Sequence, residues 1–216
     1  MSLRSQVSRF FKQKMGGYNG QARFLRKTDG AEVWGYAAHT QWATNPFISE
    51  NILVGAASAD IKLGDGDLIY DRQTGKYFYL VGLQEHQVSG VTVRYDFQVF
   101  VCNGKILVKR WNPGVLDAFT HEDSSGAYQN VGLSTYALVS NERFLNDKAT
   151  YSEEDTSFYF IFHNMTLIAD GDLIVMDNGF LDANDQVPFK RNFIAKVNDK
   201  HMFSGGLVRS FCYENL

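Results

Sequence analysis

The pentapeptide Asp65-Gly66-Asp67-Leu68-Ile69 recurs letter for letter as Asp170-Gly171-Asp172-Leu173-Ile174, 105 positions further on. A repeat at a fixed interval makes duplication of a supersecondary unit the first hypothesis for any fold. The surroundings correspond as well. An apolar pair precedes each copy (Ile61 and Leu63; Leu167 and Ile168), and an Asp follows each (Asp71; Asp177) ahead of a Gly-containing turn and another strand-like run. A central Gly permits a tight backbone entry into a strand, and the flanking Asp side chains can accept hydrogen bonds from turn amides. Leu-Ile then enters a core. Two tandem, related β units follow from this pattern.

The rest of the chain supports sheet. Phe (17) and Tyr (11) are abundant and Pro numbers only 3, a bias that suits pleated, half-buried surfaces. Asp29-Gly30 separates QARFLRKT from AEVWGYAAH, a hairpin signal. From Ile61 onward, Gln73-Thr74-Gly75, Val88-Ser89-Gly90 and Asn103-Gly104 punctuate four strand-like runs ending in ILVKRW, which predicts a small meander or barrel. Residues 112–157 carry Asn112-Pro113-Gly114 and acidic turn-rich runs, and read as an irregular, exposed linker. Strand character returns at SFYFIFHNMTLI and continues to GGLVRSFCYE. The expected organisation is an N-terminal helical arm over 1–20, a first barrel over 21–111, the linker, and a second barrel over 158–216. The fold class is mainly β: two related small SH3-like or OB-like barrels with a short N-terminal helix.

Over residues 2 to about 15, Leu3, Val7, Phe10, Phe11 and Lys14 fall at helical spacing, before Gly16-Gly17 stops the run. Seven basic residues (Arg4, Arg9, Lys12, Lys14, Arg23, Arg26, Lys27) and no acidic one lie between Met1 and Thr28, so the body carries the excess acid in a chain of net charge −3. Such asymmetry marks a docking arm or a surface facing phosphate. Leu3, Arg4, Val7, Phe10, Phe11 and Lys12 are the candidate partner-interface residues, set against the plainer reading that this helix packs on its own barrel. Cys102 and Cys212, 110 residues apart, read as two buried thiols in a reducing cytoplasm rather than a disulfide framework. The first residues lack the apolar core of a signal peptide, and no apolar run approaches the ~20 residues that span a bilayer.

The familiar catalytic and nucleotide-binding signatures (G-x-S-x-G, P-loop, dinucleotide glycines, C-x-x-C, H-E-x-x-H) are absent from the sequence. His39, His86, His121, His163 and His201 form no pair at ligand spacing. His121-Glu122-Asp123 and Glu153-Glu154-Asp155 read as solvated turns. Calcium at Asp65, Asp67, Asp170 and Asp172 would need six to eight ordered oxygens, and D-x-D followed at once by apolar residues supplies too few. Trp34, Tyr36 and Trp42 could stack on a sugar or a base, but at alternating strand spacing they suit a core. No catalytic residue, metal or cofactor is therefore expected, and the chain reads as no enzyme.

The run Ile61-Lys62-Leu63-Gly64-Asp65-Gly66-Asp67-Leu68-Ile69, then Lys76 to Gly82 (KYFYLVG), Tyr95 to Phe97 and Cys102-Asn103, resembles the small β-barrel proteins of tailed-bacteriophage necks: head-completion, adaptor and stopper proteins. The resemblance covers about 61–110 and, more weakly, 158–216. It implies a structural virion protein, assembled in the host cytoplasm into a homo-oligomeric ring, the head–tail connector that joins portal to tail. Its partners would be copies of itself and the portal and tail proteins, with packaged DNA passing through unbound and no membrane involved. The same motifs occur in phage tail and baseplate proteins. From a different class, a carbohydrate- or nucleic-acid-binding β-barrel module is the alternative.

Overall fold

The computed structural model describes residues 2–15, 17–38, 52–113, 126–131, 134–140, 158–163, 168–177, 190–202 and 204–214. The chain divides into two compact units, Met1–Cys102 with Phe203–Gly206, and Asn103–Met202 with Leu207–Leu216. The first unit thus ends at Cys102 rather than at 111. Within the span 112–157, expected as a linker, Ala127–Asn130 and Thr135–Ser140 are strands of the second unit.

The first unit opens with α1 (Leu3–Phe10), which a π-helical turn (Phe11–Met15) continues. Ser2 starts it as N-cap, its Oγ accepting from the Ser5 N–H at 3.3 Å. A two-stranded ribbon of β1 (Gly17–Tyr18) and β2 (Gln21–Ala22) follows. The main sheet is built from β3 (Phe24–Arg26), β4 (Glu32–Val33), β5 (Gly35–Ala38), β6 (Ile52–Ser58), β7 (Leu68–Asp71), β8 (Lys76–Val88) and β9 (Val91–Cys102). These strands are antiparallel and ordered β4-β3-β7-β8-β9-β6-β5. Along β9, Tyr95, Phe97, Val99 and Val101 alternate into a core with Phe24, Ile69, Phe78 and Leu80.

The second unit is made of β10 (Gly104–Asn112), β11 (Ala127–Asn130), β12 (Thr135–Ser140), β13 (Phe158–His163), β14 (Leu173–Asp177), β15 (Lys190–Met202) and β16 (Leu207–Glu214). Its order is β11-β10-β12-β13-β16-β15-β14, and β14 returns to β10, so six strands close into a hydrogen-bonded ring. Ile106, Val108, Phe160, Phe162, Ile174 and Phe193 fill it.

Each of the six strand pairings in the first sheet recurs in the second with the strand number raised by seven. The relatedness expected from one pentapeptide therefore extends to the strand connectivity of both units. The difference is closure. β10 has 9 residues, enough to hold β12 at one end, β14 along its middle and β11 at the other. β3 has 3 residues and holds only β4 and β7, so the described part of the first sheet stays open between β3 and β5.

The four-stranded meander expected from Ile61 to Trp111 keeps its first three strands and loses the fourth. β6 already occupies the free edge of β9. The Asn103 side chain turns the chain away: its Nδ2 donates to Val139 O at 2.7 Å and its Oδ1 accepts from Val139 N at 2.8 Å. An amide that reproduces a ladder rung steers Gly104 onward to β12, not back along β9.

Candidate interaction surfaces

The repeated pentapeptide makes the same turn twice. Gly66 and Gly171 have φ of 85° and 80°, the left-handed region in which glycine lacks the Cβ penalty. Their N–H groups donate to Leu80 O (2.8 Å) and Ala195 O (2.9 Å), and the Leu80 and Ala195 amides answer to Asp67 O (3.0 Å) and Asp172 O (2.9 Å). Asp67 Oδ2 accepts from Gly64 N at 3.0 Å, and Asp172 Oδ2 from Ala169 N at 2.7 Å. Arg110 holds the Asp172 carboxylate through two bonds of 2.9 and 2.8 Å, while Arg26 stands 3.5 Å from Asp67. Asp65 Oδ1 accepts from Leu83 N at 2.8 Å. These carboxylates are engaged in building turns. Among the described residues no group of three or more acidic, His or Cys side chains is placed to hold a metal.

The six residues assigned to the arm separate into two sets. Phe11 is buried at 3% exposure, Val7 is half-buried, and Ser8 between them donates its hydroxyl to Asp60 Oδ2, which also takes the Ser58 hydroxyl. The Lys12 ammonium lies 5.6 Å from the centre of the Trp34 ring. This face fastens the helix to its own unit. Leu3 (42% exposed), Phe10 (51%) and Arg4 face solvent, and Leu3 and Phe10, seven positions apart, share one stripe. The basic run also divides. Arg23 pairs with buried Asp71, and Arg26 pairs with Asp29, whose carboxyl the Arg26 hydrogen bond lowers to about 2. Arg4, Arg9, Lys12 and Lys14 remain on the helical segment.

A second projection is the outer end of the β8–β9 hairpin. Ser89 (φ 52°) and Gly90 (φ 77°) are both left-handed, as a two-residue type I′ turn requires. Val88 and Val91 face each other across it at 46% and 45% exposure. Polar pairs stiffen the stem: the Thr92 hydroxyl donates to Glu85 at 2.8 Å, lowering that carboxyl, and Asp96 takes Arg94 at 2.9 Å and His86 at 2.6 Å.

A third, in the second unit, is an aromatic pair that the sequence reading missed. Trp111 (50% exposed) and Tyr128 (43%) are cross-strand partners on β10 and β11, with rings 5.2 Å apart at 67°. The indole lies over Gly126, where a Cβ would collide with it. Strand parity carries the signal, since Ile106 and Val108 point into the core and odd-numbered Trp111 therefore points out. Of the aromatics chosen from sequence, Trp34 and Tyr36 are half-buried. Trp42, His39, His121 to Asp123 and Glu153 to Asp155 lie outside the described residues, as do the side chains of His201 and Cys212. Cys102 is a buried free thiol, pushed up by burial.

No helix among the described residues is long and apolar enough to cross a membrane. Compared with protein-family models, curated proteins and solved structures, the chain matches none.

Proposed function

We propose that the chain is a structural subunit that works by associating with copies of itself, placed at the head–tail junction of a tailed-bacteriophage virion. The observation that carries self-association is the exposed apolar side chains at two places on the first unit: Leu3 and Phe10 on α1, and Val88 with Val91 on the hairpin. Apolar side chains grouped on an exposed surface mark interaction sites. The phage assignment rests on the motif resemblance over 61–110, together with a basic helical segment on an otherwise acidic chain, which lets DNA pass a like-charged body. In this reading each unit is a variant of the SH3-like or OB-like small barrel, supported by the shared strand order and the six-stranded ring of the second unit.

Light scattering and negative-stain microscopy of the purified chain test it. A defined high oligomer or rings, weakened by deleting residues 1–15, is the expected result. A strict monomer at every concentration, with no assembly on an isolated portal ring, would overturn it. A tail or baseplate position would give the same oligomer without portal binding. A second reading has one observation in its favour. The Trp111–Tyr128 pair offers a stacking face of the kind that binds sugars or bases, and glycan or oligonucleotide binding abolished by Trp111→Ala would select it.

A further inference from the structure

The two copies of the Asp-Gly-Asp turn share their hydrogen bonds but not their surroundings. Gly66 is buried, whereas Gly171 is exposed. What covers Gly66 is Gly205, which is part of the first unit. The contact is backbone against backbone: a Cβ on Gly66 would collide with the Gly205 carbonyl, and a Cβ on Gly205 would collide with Asp65. Glycine is required on both sides for so close an approach. At Gly171, nothing among the described residues lies within 4 Å of where a Cβ would stand.

The covering segment has its own counterpart. Phe78 and Phe193 are equivalent, since they lie opposite Ile69 and Ile174, the last residues of the two pentapeptides. Eleven residues after Phe78 comes Ser89-Gly90, and eleven after Phe193 comes Ser204-Gly205. Gly90 and Gly205 are both left-handed, with φ of 77° and 72°. The Ser204-Gly205 turn is seated on a pentapeptide turn. Ser89-Gly90 ends a projecting hairpin, and among the described residues nothing comes within 4 Å of a Cβ built at Gly90. Among the described residues, each chain therefore leaves open one tip at Gly90, flanked by Val88 and Val91, and one turn at Gly171.

We infer that the Ser89-Gly90 tip of one chain docks on the Asp170-Gly171 turn of a second copy, repeating between molecules the contact that Ser204-Gly205 makes with Asp65-Gly66. The inference rests on the self-association part of the proposed function and gives it a geometry. Tip and turn are different surfaces, so the contact is head-to-tail and propagates until it closes, as a ring requires.

Two variants test it, each placed at an exposed site where the fold tolerates change. Val88→Asp with Val91→Asp charges the tip. Gly171→Asn fills the turn with the non-glycine residue best suited to a left-handed backbone. Circular dichroism confirms that both fold. In sedimentation velocity over a concentration series, each alone should associate on the order of tenfold more weakly than the parent chain, or worse. An equimolar mixture should restore a one-to-one complex and nothing larger, because the intact tip of one meets the intact turn of the other. A symmetric contact cannot give that complementation. Parent-like assembly by both variants, or a mixture that restores nothing, overturns the docking while leaving self-association standing. A parent chain that stays monomeric throughout, alone and on an isolated portal ring, overturns both.

Discussion

Asp71 is 1% exposed, and four donors converge on it: Arg23 Nε (3.0 Å), Arg23 Nη2 (2.8 Å), Gln73 N (2.9 Å) and the Thr74 hydroxyl (2.9 Å). In Asp71→Asn the side chain keeps its shape and one acceptor. The new NH2 then faces Arg23 Nη2 and the Thr74 hydroxyl, the two donors that had shared Oδ2. A hydrogen bond to a charged group is worth about 1.5–3 kcal/mol, and unpairing a buried ion costs about 3–5 kcal/mol. The Arg23 side chain keeps 14% exposure, so water relieves part of the penalty, and the lower end applies: about 3 kcal/mol. With a urea slope of about 2 kcal/mol per molar, the midpoint of the first unit should fall by about 1.5 M. Urea melts followed by fluorescence and circular dichroism measure this. Titration supplies an independent arm. Burial pushes the Asp71 carboxyl up, but the Arg23, Gln73 and Thr74 hydrogen bonds and the Arg23 charge outweigh it and hold it below the ordinary 3.8. A depressed folded-state pKa stabilises above the unfolded value and is lost as pH falls through the folded one. The gap between parent and variant should therefore be full at neutral pH and narrow below about pH 3.8. A loss under about 1 kcal/mol at neutral pH, or a gap indifferent to acid, would refute the reasoning.

Three further outcomes are expected. Gly66→Ala should cost about 3 kcal/mol or more, because it adds a backbone collision to left-handed strain, while Gly171→Ala should cost only the strain, about 1–2 kcal/mol; equal losses in thermal melts would mean that Gly66 is not covered as described. Ser89→Asn should raise stability by about 0.5 kcal/mol, since Asn-Gly is the favoured type I′ pair, and a lowered melting temperature would speak against that turn. Cys102, buried and with its thiol pushed up, should resist a thiol reagent in the native chain and react once denaturant opens the first unit, as peptide mapping would show.

Residues close in sequence disclosed more than residues brought together by pairing. The pentapeptide was legible because each of its letters does local work: glycine for a left-handed turn, Asp67 and Asp172 for its amides, Ile69 and Ile174 for the core. The Asp29-Gly30 hairpin was legible for the same reason, with β3 on β4 and Gly30 at φ 71°. Beyond the pentapeptide the duplication was hidden by loops of unequal length. Ile69 faces Arg26 and Ile174 faces Val108, so the equivalent strands stand 82 positions apart there and 105 at the motif. Asp71 and Asp177, which correspond in the sequence pattern, are not equivalent, since Asp71 falls opposite Phe24 and its counterpart is Met176 opposite Ile106. Asn103-Gly104 has the letters of a hairpin turn, and only the distant Val139 makes it an exit instead. On α1 the period showed an apolar face, but Ser8 reaching Asp60 decided which edge of that face is buried. Neither partner announces itself locally.

The composition of the first unit bears on how the protein is made. Its main span is complete at Cys102, yet Phe203–Gly206 leaves the ribosome a further hundred residues later. At about 5–20 residues per second, that is roughly 5–20 s of synthesis. Small β domains form in milliseconds to seconds, so the nascent first unit has time to fold around an uncovered Gly66. During that interval it displays both a bare turn and a bare Ser89-Gly90 tip. Under the proposed docking, translation order makes each newborn chain transiently stickier than the finished one, and on a crowded polysome its neighbours are copies of itself.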